Sequence, residues 1–186
     1  METIIFLVLI LLALYACILV IYYFLQERLL FVATPLKLRH SFQLASSFEE
    51  VYLASDDGGK IHALLIHATD SKGLILYFHG NTGNMSRWSV VAEELTTYGF
   101  NVLVVDYRGF GKSEGRRNEK NLNSDAQVIY DHAKTLCPES KLIVYGRSLG
   151  TGLAVKVASD NNPWKLVLET PYFHLPEVAF YHFPFI

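Results

Sequence analysis

Residues 142–158 read LIVYGRSLGTGLAVKVA, a stretch in which an apolar strand, a glycine-flanked serine and a helix follow one another. The apolar run Leu142–Tyr145 predicts a buried strand, and the apolar spacing over Gly150–Ala158 predicts a helix. Between them, Ser148 occupies the central position of the pattern G-x-S-x-G. A serine at such a strand–turn–helix junction is typical of a nucleophile elbow, which lifts the hydroxyl above the sheet.

Gly146 and Gly150 are expected to be steric requirements of that turn, because a sharp turn leaves no room for a side chain at either position. The N-terminus of the following helix places positive potential behind Ser148, which favours negative charge that develops during attack on a substrate. We therefore expect Ser148 to be a catalytic nucleophile. The alternative interpretation is a glycine-rich strand–helix turn with an incidental serine.

The sequence on both sides continues an alternation of strands and helices. Strands are predicted at these apolar or alternating segments: Val51–Ala54, Ile61–His67, Leu74–Phe78, Val102–Val105 and Leu166–Leu168. Helices are predicted at Asn84–Tyr98 and Ser124–Leu136, the second starting with Ser124 and Gln127 in capping-box spacing. Ser55–Gly59 predicts a hairpin turn. The pattern indicates an α/β fold whose mostly parallel sheet is covered by helices on both faces.

The segment His79-Gly80-Asn81 follows the third predicted strand. In folds with a nucleophile elbow, the loop at this place supplies one backbone N–H of the oxyanion hole, and the residue after the nucleophile supplies the other. We therefore expect the N–H groups of Asn81 and Leu149 to form that hole. The base of such folds follows the serine in the chain, whereas His79 precedes Ser148, so His79 is expected to be structural.

Residues 106–113, DYRGFGKS, end like a phosphate-binding loop. That loop requires the pattern G-x-x-x-x-G-K-S, and its first glycine position is occupied here by Asp106. The next predicted helix also starts about ten residues too late for this motif. Nucleotide binding is therefore not expected. A nucleic-acid partner is not expected either, since the 16 basic and 18 acidic residues are nearly balanced.

The segment Ile4–Leu25 contains no charged residue, and as a helix it would be ~33 Å long, enough to cross a hydrocarbon core of ~30 Å. Gln26, Glu27 and Arg28 end the apolar run. We therefore expect a transmembrane anchor over residues 1–25, which contacts the membrane through residues 4–25, and a juxtamembrane linker over residues 26–47. A cleaved signal peptide, the alternative, would need a basic start and a shorter apolar run.

Basic residues follow the apolar segment, and none precedes it. The positive-inside rule then places the C-terminal domain of a single-pass protein in the cytoplasm.

Four motifs occur together and in order: His-Gly-Asn at 79–81, DYRGFGKS at 106–113, GRSLG at 146–150 and Leu-Glu-Thr-Pro-Tyr at 168–172. Together they resemble the membrane-anchored α/β-hydrolase-domain proteins related to serine aminopeptidases, acyl-thioesterases and lysophospholipase-like lipases. The resemblance covers residues 4–186. It implies an α/β-hydrolase fold and a serine hydrolase acting on an ester, thioester or amide of a small acyl or peptide-like substrate, without a metal or organic cofactor.

A complete member of that family continues past the sixth strand, and its later loops carry the catalytic Asp and His. The resemblance therefore implies that residues 48–186 form a C-terminally incomplete hydrolase domain without these two residues. Within the chain, Glu169 is a candidate acid, with a purely structural carboxylate as the alternative, and His174 and His182 are candidate bases. Two functions stay open: a serine hydrolase, or a truncated non-catalytic paralogue or fragment that serves as a membrane-bound binding module or has no function.

Overall fold

The computed structural model describes residues 1–173, apart from the side chains of residues 26–30. The chain forms two units, one that includes residues 1–32 and one over Ala33–Phe173. His174 and His182, the two candidate bases, lie outside the described residues.

The described part of the first unit consists mainly of one helix, α1 (Glu2–Leu30). Its segment Glu2–Leu25 has a mean hydropathy of 3.4 and is long and apolar enough to cross a membrane. The apolar side chains along this segment are exposed, Leu11 and Phe24 among them. A helix that is apolar on all sides is what a lipid environment favours, since its backbone hydrogen bonds are satisfied internally.

The second unit is built on a mixed six-stranded sheet. Its strands are β2 (Phe48–Ala54), β3 (Lys60–Ile66), β4 (Leu74–Phe78), β6 (Asn101–Asp106), β7 (Leu142–Arg147) and β8 (Lys165–Glu169). Two short strands, β1 (Val32–Ala33) and β5 (Thr82–Gly83), lie outside this sheet. The strands lie in the order β2-β3-β6-β4-β7-β8. The last four of these are parallel, whereas β2 and β3 form an antiparallel hairpin, and β3 pairs antiparallel with β6.

Helices cover both faces of the sheet, as the sequence predicts. They are α2 (Met85–Thr96), α3 (Glu119–Leu136) and α4 (Gly150–Asp160), and a short 3₁₀ turn covers Glu139–Lys141. α2 packs against β3 and β6, whereas α3 and α4 pack against each other and against β4 and β7. The core beneath α2 consists of these buried residues: Phe42, Leu64, Ile66, Ile75, Tyr77, Met85, Trp88, Ala92, Val102, Val104 and Ile143.

The start of α3 differs from the prediction. The helix begins at Glu119 and is capped by Asn118, whose side chain accepts the backbone N–H of Asn121 at 2.8 Å. Ser124 therefore lies inside the helix and is not its N-cap. The Asn118 side chain satisfies one of the unpaired N–H groups of the first turn, so the helix can start five residues before the predicted capping box.

Arg108 ties the β2–β3 hairpin to α3. Its guanidinium, which is 1% exposed, forms two hydrogen bonds with the carboxylate of Asp125 and two with that of Asp57. Asp57 lies in the hairpin turn, and Asp125 lies on α3. The hydrogen bonds from Arg108 lower the pKa of Asp57 to about 2. The turn keeps its shape because a buried cation is neutralised by carboxylates from two elements.

The strand order brings two loops together at one edge of the sheet. The chain runs from β4 through α2 to the neighbouring β6, then returns across β4 to β7 on its other side. Such a reversal opens a crevice at the carboxyl ends of the strands, where α/β proteins bind ligands. Phe78 at the end of β4 is paired with Gly146 in β7. The segments 79–81 and 147–149 therefore leave the sheet side by side.

Candidate active site

Ser148 lies at the turn between β7 and α4 with a backbone φ of +49°. Its N–H donates to the carbonyl oxygen of Glu169 at 2.9 Å. Its own carbonyl oxygen accepts both the backbone N–H of Thr151, at 2.9 Å, and the Thr151 hydroxyl, at 2.6 Å. A left-handed backbone is uncommon outside glycine and costs free energy, so it persists where the surroundings hold it. Here β8 holds the turn on one side and the first turn of α4 on the other.

The glycines that flank Ser148 are in close contact with backbone atoms. A Cβ atom at Gly146 would lie 2.6 Å from the carbonyl oxygen of Gly150 and 2.7 Å from the Cβ of Ala154. A Cβ atom at Gly150 would overlap the carbonyl group of Phe78 in β4. Neither position has room for a side chain.

The loop of residues 79–81 lies directly beside this turn. Gly80 faces the carbonyl oxygen of Arg147, which a Cβ atom at position 80 would approach to 3.8 Å. On its other side Gly80 packs against the indole ring of Trp88, whose Nε1–H donates to the carbonyl oxygen of Thr82 at 2.7 Å. Trp88 of α2 therefore supports the loop that contains Asn81. Leu149, the second expected oxyanion donor, begins α4 as its N-cap residue.

His79 is fully buried, and both of its ring nitrogens have partners. Nδ1 lies 2.6 Å from the carbonyl oxygen of Gly80, and Nε2 lies 3.2 Å from a carboxylate oxygen of Asp106. The ring stacks on Trp88 with 5.4 Å between ring centroids and 9° between planes. A histidine held in this way cannot approach Ser148 to accept its proton. It shapes the loop instead.

Asp106 and Tyr107, at the end of β6, complete the support of this loop. The second carboxylate oxygen of Asp106 accepts the backbone N–H of Met85, at the start of α2, at 3.1 Å. The Tyr107 hydroxyl donates to the carbonyl oxygen of His79 at 2.6 Å, and burial raises the pKa of Tyr107 well above its usual value. Sequence reasoning did not identify these two roles. In the sequence, both residues stand out only as the first two members of the DYRGFGKS motif.

Glu169, the candidate acid, is bound by two residues of β7. Its carboxylate accepts the Tyr145 hydroxyl at 2.9 Å and lies 3.3 Å from Nε of Arg147. Burial, together with the hydrogen bond to Glu169, raises the pKa of Tyr145 to about 12. These contacts favour the structural interpretation of Glu169. Among residues 1–173, no histidine forms a hydrogen bond with this carboxylate or with the Ser148 hydroxyl.

Two guanidinium groups lie near Trp88, which supports the loop of residues 79–81. The guanidinium groups of Arg87 and Arg147 lie 5.1 Å and 5.6 Å from the centre of the Trp88 ring. The N-terminus of α4 favours an anionic species next to Ser148, whereas the charge of Arg147 is balanced by the carboxylate of Glu169. In the described part of the chain, no group of three or more His, Cys, Asp or Glu side chains could hold a metal ion.

Residues 69–184 match the serine aminopeptidase S33 family. The alpha/beta hydrolase domain-containing protein WAV2 of Arabidopsis thaliana is 33% identical over 174 residues, which cover 87% of this chain and 56% of that protein. The lysophosphatidylserine lipase ABHD12 of Danio rerio is 36% identical over 119 residues, 60% of this chain and 31% of that protein. Protein bem46 of Schizosaccharomyces pombe is 28% identical over 146 residues, 74% of this chain and 49% of that protein.

The chain spans about half the length of WAV2 and bem46, 56% and 49%. Among solved structures, the esterase Pf2001 of Pyrococcus furiosus superposes with a TM-score of 0.65 at 23% identity, over 82% of this chain and 61% of that one. That likeness concerns the fold, which agrees with the mixed sheet and the two helical layers of the second unit. On the strength of the match over residues 69–184, the chain belongs to the serine aminopeptidase S33 family and has its α/β-hydrolase fold.

Proposed function

We propose that this protein is a serine hydrolase that cleaves an ester, thioester or amide bond with Ser148 as nucleophile. One observation carries the proposal: the left-handed backbone of Ser148 at the junction of β7 and α4. Such a conformation costs about 1–3 kcal/mol and is concentrated at functional sites. In a purely structural turn between a strand and a helix, glycine at this position would adopt the same backbone conformation at a lower cost in free energy.

In the proposed reaction, the Ser148 hydroxyl oxygen attacks the carbonyl carbon of the substrate while a general base takes its proton. The carbonyl oxygen becomes an oxyanion and accepts hydrogen bonds from the backbone N–H groups of Asn81 and Leu149. The intermediate then expels the alcohol, thiol or amine, which takes up the proton, and water later releases the acid from Ser148. The base is not assigned to any of the described histidines, since none contacts the serine hydroxyl.

The rigid support of the loop of residues 79–81 favours Asn81 as an oxyanion donor. Oxyanion stabilisation depends on donors that do not have to reorganise during the reaction. Trp88, Asp106 and Tyr107 hold the loop from three sides through hydrogen bonds and ring contacts. We propose that these three residues position the Asn81 N–H and do not themselves touch the substrate.

We further propose that α1 anchors the protein as a single membrane span and that the hydrolase unit faces the cytoplasm. The length and apolar character of Glu2–Leu25 support the span, and the basic residues that follow it support the orientation. A membrane-bound hydrolase meets acyl lipids, and the relative ABHD12 of Danio rerio is named a lysophosphatidylserine lipase. We propose an acyl lipid as the substrate class on this basis.

The test is labelling of the full chain by a fluorophosphonate probe, which reacts with activated serines. We expect Ser148→Ala to remove the labelling. Ser86→Ala is the matched control, because the Ser86 hydroxyl forms a 2.9 Å hydrogen bond with a histidine, His40, and could mimic an activated serine. Labelling that survives Ser148→Ala would contradict the proposal.

The second candidate function is a non-catalytic membrane-bound module. The observation that favours it is the lack of a histidine contact to Ser148 within residues 1–173. Serine without a base is a weak nucleophile. If the full chain binds acyl lipids but its serine reacts with the probe no faster than Ser86, the binding module is the better description.

A further inference from the structure

The turn that follows α1 in the second unit forms a basic depression on the protein surface. The depression has a volume of about 490 Å³ and is lined by Pro35, Leu36, Lys37, Arg39, His40 and Ser41. The turn is closed by a hydrogen bond of 2.8 Å from the backbone N–H of His40 to the carbonyl oxygen of Lys37. All of the lining side chains come from this single segment, here called the basic turn (residues 35–41).

The basic turn is fixed at both ends. The N–H of Leu36 donates to the carbonyl oxygen of Gly111 at 2.7 Å, and Phe42, directly after the turn, is buried in the core beneath α2. The ring of His40 is held by the Ser86 hydroxyl at 2.9 Å and packs edge-on against Phe42. The segment is therefore a preorganised platform, and a ligand would not have to order it on binding.

Among the residues that the structure describes, no acidic side chain neutralises the two cations of this turn. Neither Lys37 nor Arg39 forms a side-chain hydrogen bond or ion pair with any residue that the structure describes, in contrast to Lys112, which is bound by Glu50. Between them lies Leu38, an apolar side chain that is 66% exposed. An exposed apolar residue flanked by two unpaired cations matches the interface of an anionic membrane, where phosphates meet acyl chains.

We propose that the basic turn binds the anionic headgroups of membrane phospholipids through Lys37 and Arg39, with Leu38 entering the interface. The inference rests on the proposed membrane anchor. The chain from Leu25 to Lys37 spans at most about 40 Å when fully extended, so the turn can reach the lipid surface when the helix is inserted. Two cations at such a surface strengthen binding by roughly thirtyfold, about fivefold each. A free phosphate in solution has no comparable local concentration.

The proposal is tested by hydrogen–deuterium exchange of the full chain in nanodiscs. Exchange of peptides that cover residues 35–42 is compared in pure phosphatidylcholine and in a mixture with phosphatidylserine. We expect exchange in this segment to slow several-fold in the anionic discs. The double variant Lys37→Gln/Arg39→Gln should remove that protection. The control Lys72→Gln/Lys141→Gln makes the same change in charge at two other exposed lysines and should retain it.

Each other result overturns the proposal in a distinguishable way. Equal exchange in both kinds of disc shows that the turn does not recognise anionic lipid. Protection that persists in Lys37→Gln/Arg39→Gln shows that these two side chains do not bind the headgroups. Equal protection by inorganic phosphate added to phosphatidylcholine discs shows that the turn binds free anions. A chain that is not retained in either disc removes the anchor and this inference with it, whereas hydrolase activity through Ser148 is unaffected by all of these results.

Discussion

Tyr107 shows how a single hydroxyl can shape the candidate active site without touching Ser148. Its hydrogen bond to the carbonyl oxygen of His79 is buried, as are both residues. The bond fixes the first peptide of the loop that leads to Asn81. Because the oxyanion donors must not reorganise during reaction, a loop fixed at its base is an advantage for the proposed chemistry.

Tyr107→Phe removes this donor and leaves a buried carbonyl oxygen unpaired. We expect a loss of about 1–3 kcal/mol in the free energy of unfolding and slower labelling of Ser148 by the phosphonate probe. Tyr98→Phe is the control, because Tyr98 is exposed and its hydroxyl has no such role. Urea unfolding in detergent measures the first effect, and time-resolved labelling measures the second. A Tyr107→Phe protein equal to the control in both would refute this assignment.

At the scale of elements, the hairpin β2–β3 depends on a cation that neither strand contains. Arg108 follows β6, yet it binds Asp57 in the hairpin turn and Asp125 on α3. Three elements that are distant in sequence therefore share one buried charge. A buried ion pair is expensive to break from one side, because the remaining partner keeps its charge without compensation.

Arg108→Ala should lower the free energy of unfolding by about 3–5 kcal/mol, since it leaves the charge of the buried Asp125 carboxylate without a cation, although the Ser55 hydroxyl still donates to it. Arg116→Ala serves as the control, because Arg116 lies in the same loop and its side chain is exposed. Denaturant unfolding followed by tryptophan fluorescence compares the two variants. Equal losses in both would mean that the buried network contributes nothing specific.

The same network predicts a dependence of stability on acid pH. The pKa of Asp57 is lowered to about 2 from an ordinary value of 3.8, so its contribution is fully present above pH 3.8 and is lost as the pH falls through 2. Asp57→Asn should therefore flatten the fall in stability between these two pH values. Asp56→Asn, a change at the exposed neighbour, should leave the slope unchanged. The denaturant midpoints of unfolding of both variants, measured across this pH range, test the prediction.

The strands and helices were largely predictable because their apolar periodicity is local. Each predicted strand is found, and the errors lie at the ends. β2 starts at Phe48, three residues earlier than predicted. Glu50 looks unsuited to a strand until it is seen to bind His62 of the neighbouring strand β3 and Lys112 of the loop after β6. β1, β5 and the 3₁₀ turn are too short to leave a pattern. The contacts of Glu50 depend on the fold and cannot be read from neighbouring residues.

The candidate site was predictable to a lesser degree. Ser148 and the loop of residues 79–81 are recognisable because motif and strand order place them together. The residues that support that loop could not be recognised from a motif and strand order in the same way. Trp88 was visible only as one apolar residue on a helix face, and its indole hydrogen bond to Thr82 depends on how α2 crosses the sheet. The roles of Asn81, Leu149 and Glu169 in catalysis stay predictions.

For the whole molecule, the proposal that α1 is a membrane anchor gives a direct prediction. The full chain should stay in the membrane fraction after carbonate washing. Leu12→Arg/Ala16→Arg places two charges near the middle of Glu2–Leu25, each opposing insertion by roughly 2.5–3.5 kcal/mol, and should release the chain. The control variant Leu12→Ile/Ala16→Leu, which stays apolar, should remain in the membrane fraction like the unaltered protein. Release of the unaltered chain by carbonate would contradict the anchor.

The contact of Gly150 with the carbonyl group of Phe78 also sets an order of events during folding. Phe78 and Gly150 are separated in the chain by α2, β6, α3 and β7, so no local interaction can bring them together. The left-handed backbone of Ser148 is held by β8 and α4, and therefore it forms only after β4, β7 and β8 have paired. Pairings between distant segments are the slow part of folding. A nascent chain thus carries Ser148 as an ordinary serine until these strands have paired.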